Sequence, residues 1–161
     1  MIVRPATPDD VPTIAAIIAA HAERGEMLAR PADQIREGLG DFVVCEHEGA
    51  VVACSSLVRY SPALAEIRSL AVADGVQRNG WGSAMVQALQ ERAREEGITT
   101  LFALTRAGPF FERLGFARCK RESFPEKVWR DCRFCPLRER CDEEAVAVTL
   151  DAGGGRPGDG R

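Results

Sequence analysis

The sequence contains no apolar run approaching the roughly 20 residues of a membrane span. Its first stretch, MIVRPATPDD, lacks the apolar core of a signal peptide, so neither a membrane-embedded nor an exported protein is expected. Positive charge is not in excess: 21 Lys and Arg against 24 Asp and Glu leave a net charge of −3. That argues against a nucleic-acid partner held by bulk electrostatics. No internal repeat is visible. Of the two histidines, His21 falls near the end of the first predicted helix and His47 at a hairpin turn. Both positions read as solvent-facing and neither recommends a catalytic role. Tyr60, the only tyrosine, sits in a loop ahead of a strand and is assigned no role. A Gly-x-Gly-x-x-Gly run and a Walker lysine are missing too, which weakens dinucleotide and nucleoside-triphosphate readings.

What is present fits one globular domain over residues 1–150: 161 residues in all, 45% hydrophobic and 28% charged. The six cysteines, with no export signal, read as reduced thiols or metal ligands, and a reducing cytoplasm is the expected compartment. Thr7 and Asp10 make a capping-box-like start before a helix with Val11, Ile14, Ala15 and Ile18 on one face, ending near Gly25. PADQIREGL predicts a second short helix, and two β-branched runs about HEGA predict a hairpin. LAEIRSLAVA reads as a strand, followed by a long helix from about Gly80 to Glu96 whose stripe is Ala84, Met85, Ala88, Leu89 and Ala93. ITTLFALT, FARCKRE and EEAVAVTL read as strands and GPFFERLG as a short helix; residues 151–161 read as a disordered Gly-rich tail. A hairpin followed by alternating strands and helices predicts an α/β fold with a mixed sheet.

The turn Gln77, Arg78, Asn79, Gly80, Trp81, Gly82, between strand and long helix, carries the clearest chemistry. Its glycines let backbone approach a ligand, and the unpaired first-turn N–H groups of the helix suit a pyrophosphate, with Arg78 adding a cation. The same residues also fit a plain strand–helix turn.

The spacing Gln-x-x-Gly-x-Gly after SLAV, together with the later FFERLGF, resembles the two signatures of the GNAT acyltransferases. That resemblance implies an α+β fold with a mixed, mostly antiparallel sheet flanked by helices, and acetyl-coenzyme A as cosubstrate. It implies that the strand at Leu70, Ala71 and Val72 pairs with the pantetheine arm, and that Gln77–Ser83, including Arg78, Asn79, Gly80, Trp81 and Gly82, takes the pyrophosphate. Glu66 would then be the base that removes the amine proton through water. Trp81 is expected to pack the loop on the core. Homodimerisation through sheet edges is common in that family and is the candidate assembly here.

Further segments, GEMLARP, AEIRSLAV, LFALTRAGPFFERLGF and FPEKVW, are similar to the bacterial N-acetylglutamate synthases, and more closely to their short stand-alone relatives. The resemblance implies transfer of acetyl to the α-amine of L-glutamate, a step toward arginine, without the regulatory kinase-like domain of the longer synthases. A dicarboxylate acceptor calls for cations. Arg30, Arg68 and Arg106 lead the candidates, with Arg113 and Lys127 behind them; strand alternation puts Arg68 on the face of Glu66. Phe111 stands where many GNAT enzymes have a tyrosine acid, so a coenzyme A thiolate is expected to leave without an enzymic proton donor. Two other readings stay open: acetylation of another small amine, amino acid or peptide N-terminus, and a non-catalytic acyl-coenzyme A sensor or interaction module.

DCRFCPLRERC places Cys132, Cys135 and Cys141 in one short segment, 131–141. They could give three thiolates to zinc, with Cys119, Asp131 or Asp142 as a fourth ligand; free thiols or an oxidative disulfide are the alternatives. The segment is expected to shape a substrate wall rather than perform chemistry.

Overall fold

In the computed structural model the described residues are 1–76, 80–124 and 144–151. The strands are β1 (Ile2–Pro5), β2 (Phe42–His47), β3 (Ala50–Arg59), β4 (Leu64–Val72), β5 (Thr100–Thr105), β6 (Ala117–Cys119) and β7 (Glu144–Thr149). The helices are α1 (Val11–Glu23), α2 (Ala32–Glu37), α3 (Trp81–Glu95) and α4 (Gly108–Arg113). Among the described residues no helix is long and apolar enough to cross a membrane. The strands form a seven-stranded sheet in the order β1-β2-β3-β4-β5-β7-β6. β4 and β5 run parallel, while β1/β2, β2/β3, β5/β7 and β6/β7 are antiparallel, so the sheet is mixed and mostly antiparallel as expected. The chain divides into two compact units, one of Met1–Val58 and Ile67–Arg92, the other of Arg59–Glu66 and the chain from Ala93 onward.

In the first unit α1 starts from the predicted box. The Asp10 carboxylate accepts the Thr7 N–H at 2.7 Å and is gripped by Arg4 at 2.7 and 3.0 Å. Ile14 and Ile18, one helical turn apart, are fully buried with Ile35 of α2, Phe42 and Val44. Each such aliphatic side chain contributes about 1.5–3 kcal/mol on burial. The β2–β3 hairpin turns on Glu48 and Gly49, both at positive φ (51° and 79°), the conformation a two-residue hairpin loop requires and that glycine adopts without strain. On α3, Met85, Val86 and Leu89 are fully buried, so the burying stripe takes in Val86 beyond the expected residues, while Ala84 and Ala88 are only half-buried.

In the second unit β5 lies between β4 and β7. Its parallel register on β4 runs Leu64↔Thr100, Ala65↔Leu101, Glu66↔Phe102, and it pairs with β7 along its whole length. The run Leu101, Phe102, Ala103 is buried without alternation, as expected of a strand covered on both faces. Arg118 of β6 donates to Glu112 of α4 at 2.7 Å and to Glu144 of β7 at 2.9 Å, clamping the short helix to the strands.

Candidate active site

β4 carries the residues singled out in AEIRSLAV, and its backbone is irregular there. Ser69 sits at φ 55°, a left-handed conformation that costs a non-glycine residue about 1–2 kcal/mol and persists only where the surroundings impose it. The surroundings do so through β3: the buried Ser55 and Ser56 hydroxyls donate to the Arg68 carbonyl at 3.0 and 3.3 Å. Cys54 Sγ faces the Ser69 carbonyl at 3.7 Å. Burial also pushes the Cys54 thiol up to about 12, so it stays a neutral donor.

Glu66, ahead of this kink, is only 3% exposed. A carboxylate so placed is costly without hydrogen-bond donors. Tyr60 supplies one: its hydroxyl donates to Glu66 Oε1 at 2.7 Å. Sequence reasoning gave Tyr60 no role. The structure brings it to Glu66 through a return turn in which Tyr60 N–H donates to the Leu64 carbonyl at 2.9 Å and the Ser61 hydroxyl accepts the Leu64 N–H at 3.1 Å. The Tyr60 ring lies 5.9 Å from that of Phe102, which stacks on Phe124 at 4.0 Å. Arg68 is half-buried on β4, two residues beyond Glu66.

At the far end of β4 Ala71 is buried and Leu70 and Val72 are half-buried. The Val72 carbonyl accepts from His21 Nε2 at 2.8 Å, and His21 Nδ1 meets Glu26 at 2.5 Å. The His21 side chain is 17% exposed, so the expectation of a solvent-facing histidine is corrected: its place near the end of α1 carries it onto β4. Arg24 forks onto Asp74, just past β4, at 3.0 and 3.1 Å, and Arg24 and then His21 hold the Glu26 carboxyl below its usual range. Gly80, at φ 79°, leads into α3, and the Ala84 N–H returns to its carbonyl at 3.0 Å. The N–H groups of Trp81, Gly82 and Ser83 thus occupy the first turn, where helix geometry provides no partner. Trp81 is buried, donates Nε1–H to the Val76 carbonyl at 2.6 Å and packs on His47, ring centroids 4.8 Å apart. Gln77, Arg78 and Asn79 lie outside the described residues.

Of the remaining cations, Arg30 is half-buried between α1 and α2, Arg106 is exposed after β5, and Arg113 is exposed on α4; Lys127 lies outside the described residues. Phe111 is 4% exposed and packs edge-on against Phe116, ring centroids 5.1 Å apart. Cys132, Cys135 and Cys141 also lie outside the described residues. Among the described residues no three His, Cys, Asp or Glu side chains are grouped to hold a metal ion, and Cys45, Cys54 and Cys119 are free thiols.

Comparison with known proteins defines the class. The chain matches the Acetyltransferase (GNAT) family over residues 13–116 and belongs to it. It is therefore an acetyl-coenzyme A-dependent N-acetyltransferase by family and fold. It is 40% identical over 148 residues to an uncharacterized N-acetyltransferase of Chlorobaculum tepidum, covering 92% of this chain and 96% of that one. It is 33% identical over 133 residues to the amino-acid acetyltransferase of Neisseria meningitidis, spanning 81% of this chain but only 30% of that relative. Among solved structures, Rv2747 of Mycobacterium tuberculosis, in complex with CoA and NLQ, superposes with a TM-score of 0.83 at 27% identity, covering 93% of this chain and 99% of that one. The N-acetylglutamate synthase of Neisseria gonorrhoeae, complexed with coenzyme A and N-acetyl-glutamate, gives 0.84 at 28% identity, covering 92% of this chain and 35% of that one.

Proposed function

We propose that this chain acetylates the α-amino group of an amino acid, with L-glutamate the first candidate, and that Glu66 is its base. The observation that carries the assignment of the base is the burial of Glu66 beside the Tyr60 hydroxyl on β4; the likeness to amino-acid acetyltransferases supports the choice of acceptor. Acetyl-coenzyme A lies with its pantetheine along Leu70, Ala71 and Val72 and its pyrophosphate at Gln77–Ser83, on the first-turn N–H groups of α3. The acceptor ammonium gives one proton through water to Glu66, and the neutral amine attacks the thioester carbonyl. As the C–S bond breaks, the thiolate takes the amine's second displaced proton, leaving amide and free coenzyme A. No hydroxyl stands at Phe111 to assist that departure. Arg68, Arg30 and Arg106 are the proposed holders of the acceptor's carboxylates.

Release of free thiol across a panel of amino acids, small amines and peptide N-termini tests this reading. Glutamate is expected to give the highest kcat/KM; turnover without preference for glutamate transfers the assignment to another amine. Coenzyme A binding with no turnover on any amine would instead mark a sensor.

A further inference from the structure

We infer that Tyr60 is a positioning residue for the base: its hydroxyl holds Glu66 Oε1 so that the carboxylate points in one direction. The inference rests on the reading of Glu66 as base. The contact, at 2.7 Å, has the length of a well-formed O–H···O hydrogen bond. It is also fixed from behind. The return turn closed by the Tyr60 N–H to Leu64 carbonyl bond sets the backbone, and Phe102, which packs on the Tyr60 ring, is the residue paired with Glu66 across the parallel register. Ring, turn and carboxylate therefore share one neighbourhood within one unit. Burial opposes the charged form of a carboxylate, whereas a hydrogen bond donated to it favours that form. The aromatic contact holds the hydroxyl in line with the carboxylate.

Because the sequence has a single tyrosine, the hydroxyl can be tuned without changing any other side chain. Tyr60→Phe keeps the ring and its packing but removes the donor. It is expected to lower kcat about tenfold, to move the acidic limb of the kcat/KM–pH profile upward, and to leave the KM for acetyl-coenzyme A unchanged. Protein grown on fluorotyrosine carries a more acidic phenol at position 60 alone, and the acidic limb should move to lower pH. The double variant Y60F/E66Q should be no slower than Glu66→Gln by itself. An acidic limb that stays put in both the phenylalanine and fluorotyrosine proteins, while Glu66→Gln is inactive, overturns the role of Tyr60 and leaves the base assignment standing. Full activity in Glu66→Gln overturns the base assignment itself. Fluorotyrosine also serves if Tyr60→Phe does not fold.

Discussion

In the unit of Met1–Val58 and Ile67–Arg92, the groups proposed to hold coenzyme A are chiefly main-chain ones: the end of β4 and the first turn of α3. In the unit of Arg59–Glu66 and the chain beyond Ala93, the distinctive feature is a pair of side chains, Tyr60 and Glu66, set in an aromatic cluster. The contrast matters for substitution. A backbone site survives most side-chain changes and fails when φ or an anchoring contact is disturbed. A side-chain site survives backbone-neutral changes and fails when one functional atom is replaced. On the proposed mechanism the first kind of damage raises the KM for acetyl-coenzyme A, and the second lowers kcat.

The largest effect is expected from Glu66→Gln, which replaces one oxygen in the second unit. The amide cannot accept the proton, and kcat should fall about 10²- to 10⁴-fold. Coenzyme A binding by calorimetry should be unchanged, because the proposed cradle lies on other residues. Raising the pH supplies neutral amine and should recover part of the rate. Equal losses in binding and rate would erase the distinction drawn between the two units.

Next in size is an effect on stability confined to the first unit. Arg4 holds the Asp10 carboxyl near 2 rather than the ordinary 3.8, chiefly through its side-chain hydrogen bonds. The folded value is depressed, so the stabilisation is complete above about pH 4, where the unfolded chain is also ionised, and is lost as pH falls through about 2. Asp10→Asn should cost about 2 kcal/mol in urea unfolding at neutral pH. The gap to the parent should shrink from pH 4 downward, while kcat is unchanged in the folded variant. A gap that persists at pH 2 would assign the loss to the helix cap rather than to the charge.

The sequence exposed most of the scaffold because its signals are local. HEGA needs only its own two positive-φ residues to make the hairpin, the box at Thr7 and Asp10 closes within four residues, and the α3 stripe follows from helical spacing. The features missed depend on residues distant in the chain. Ser69 is left-handed just after the Arg68 carbonyl that accepts from two serines of β3, and nothing in SLAV marks that position. Tyr60 reaches Glu66 only through the return turn and β5. Helical spacing puts His21 on the face of Ile14 and Ile18, but the group it meets there, the Val72 carbonyl, is 51 residues away.

That histidine gives the smallest and most discriminating effect. A carbonyl only accepts, so the bond from His21 Nε2 to Val72 requires the proton on that nitrogen. With the Arg24–Asp74 fork, it ties the end of α1 to the end of β4, at the C-terminal end of the backbone proposed to carry pantetheine. His21→Phe fills a similar volume and removes the donor, leaving the strand end held by Arg24 and Asp74. A hydrogen bond of this kind contributes about 1 kcal/mol, so the KM for acetyl-coenzyme A should rise about fivefold, with kcat within about twofold of the parent. Arg24→Leu together with His21→Phe should raise KM further than either change alone, since the two ties act on one strand end. A fall in kcat at constant KM would place His21 with the reacting groups, and the division between a backbone-built and a side-chain-built half would then have to be redrawn through α1.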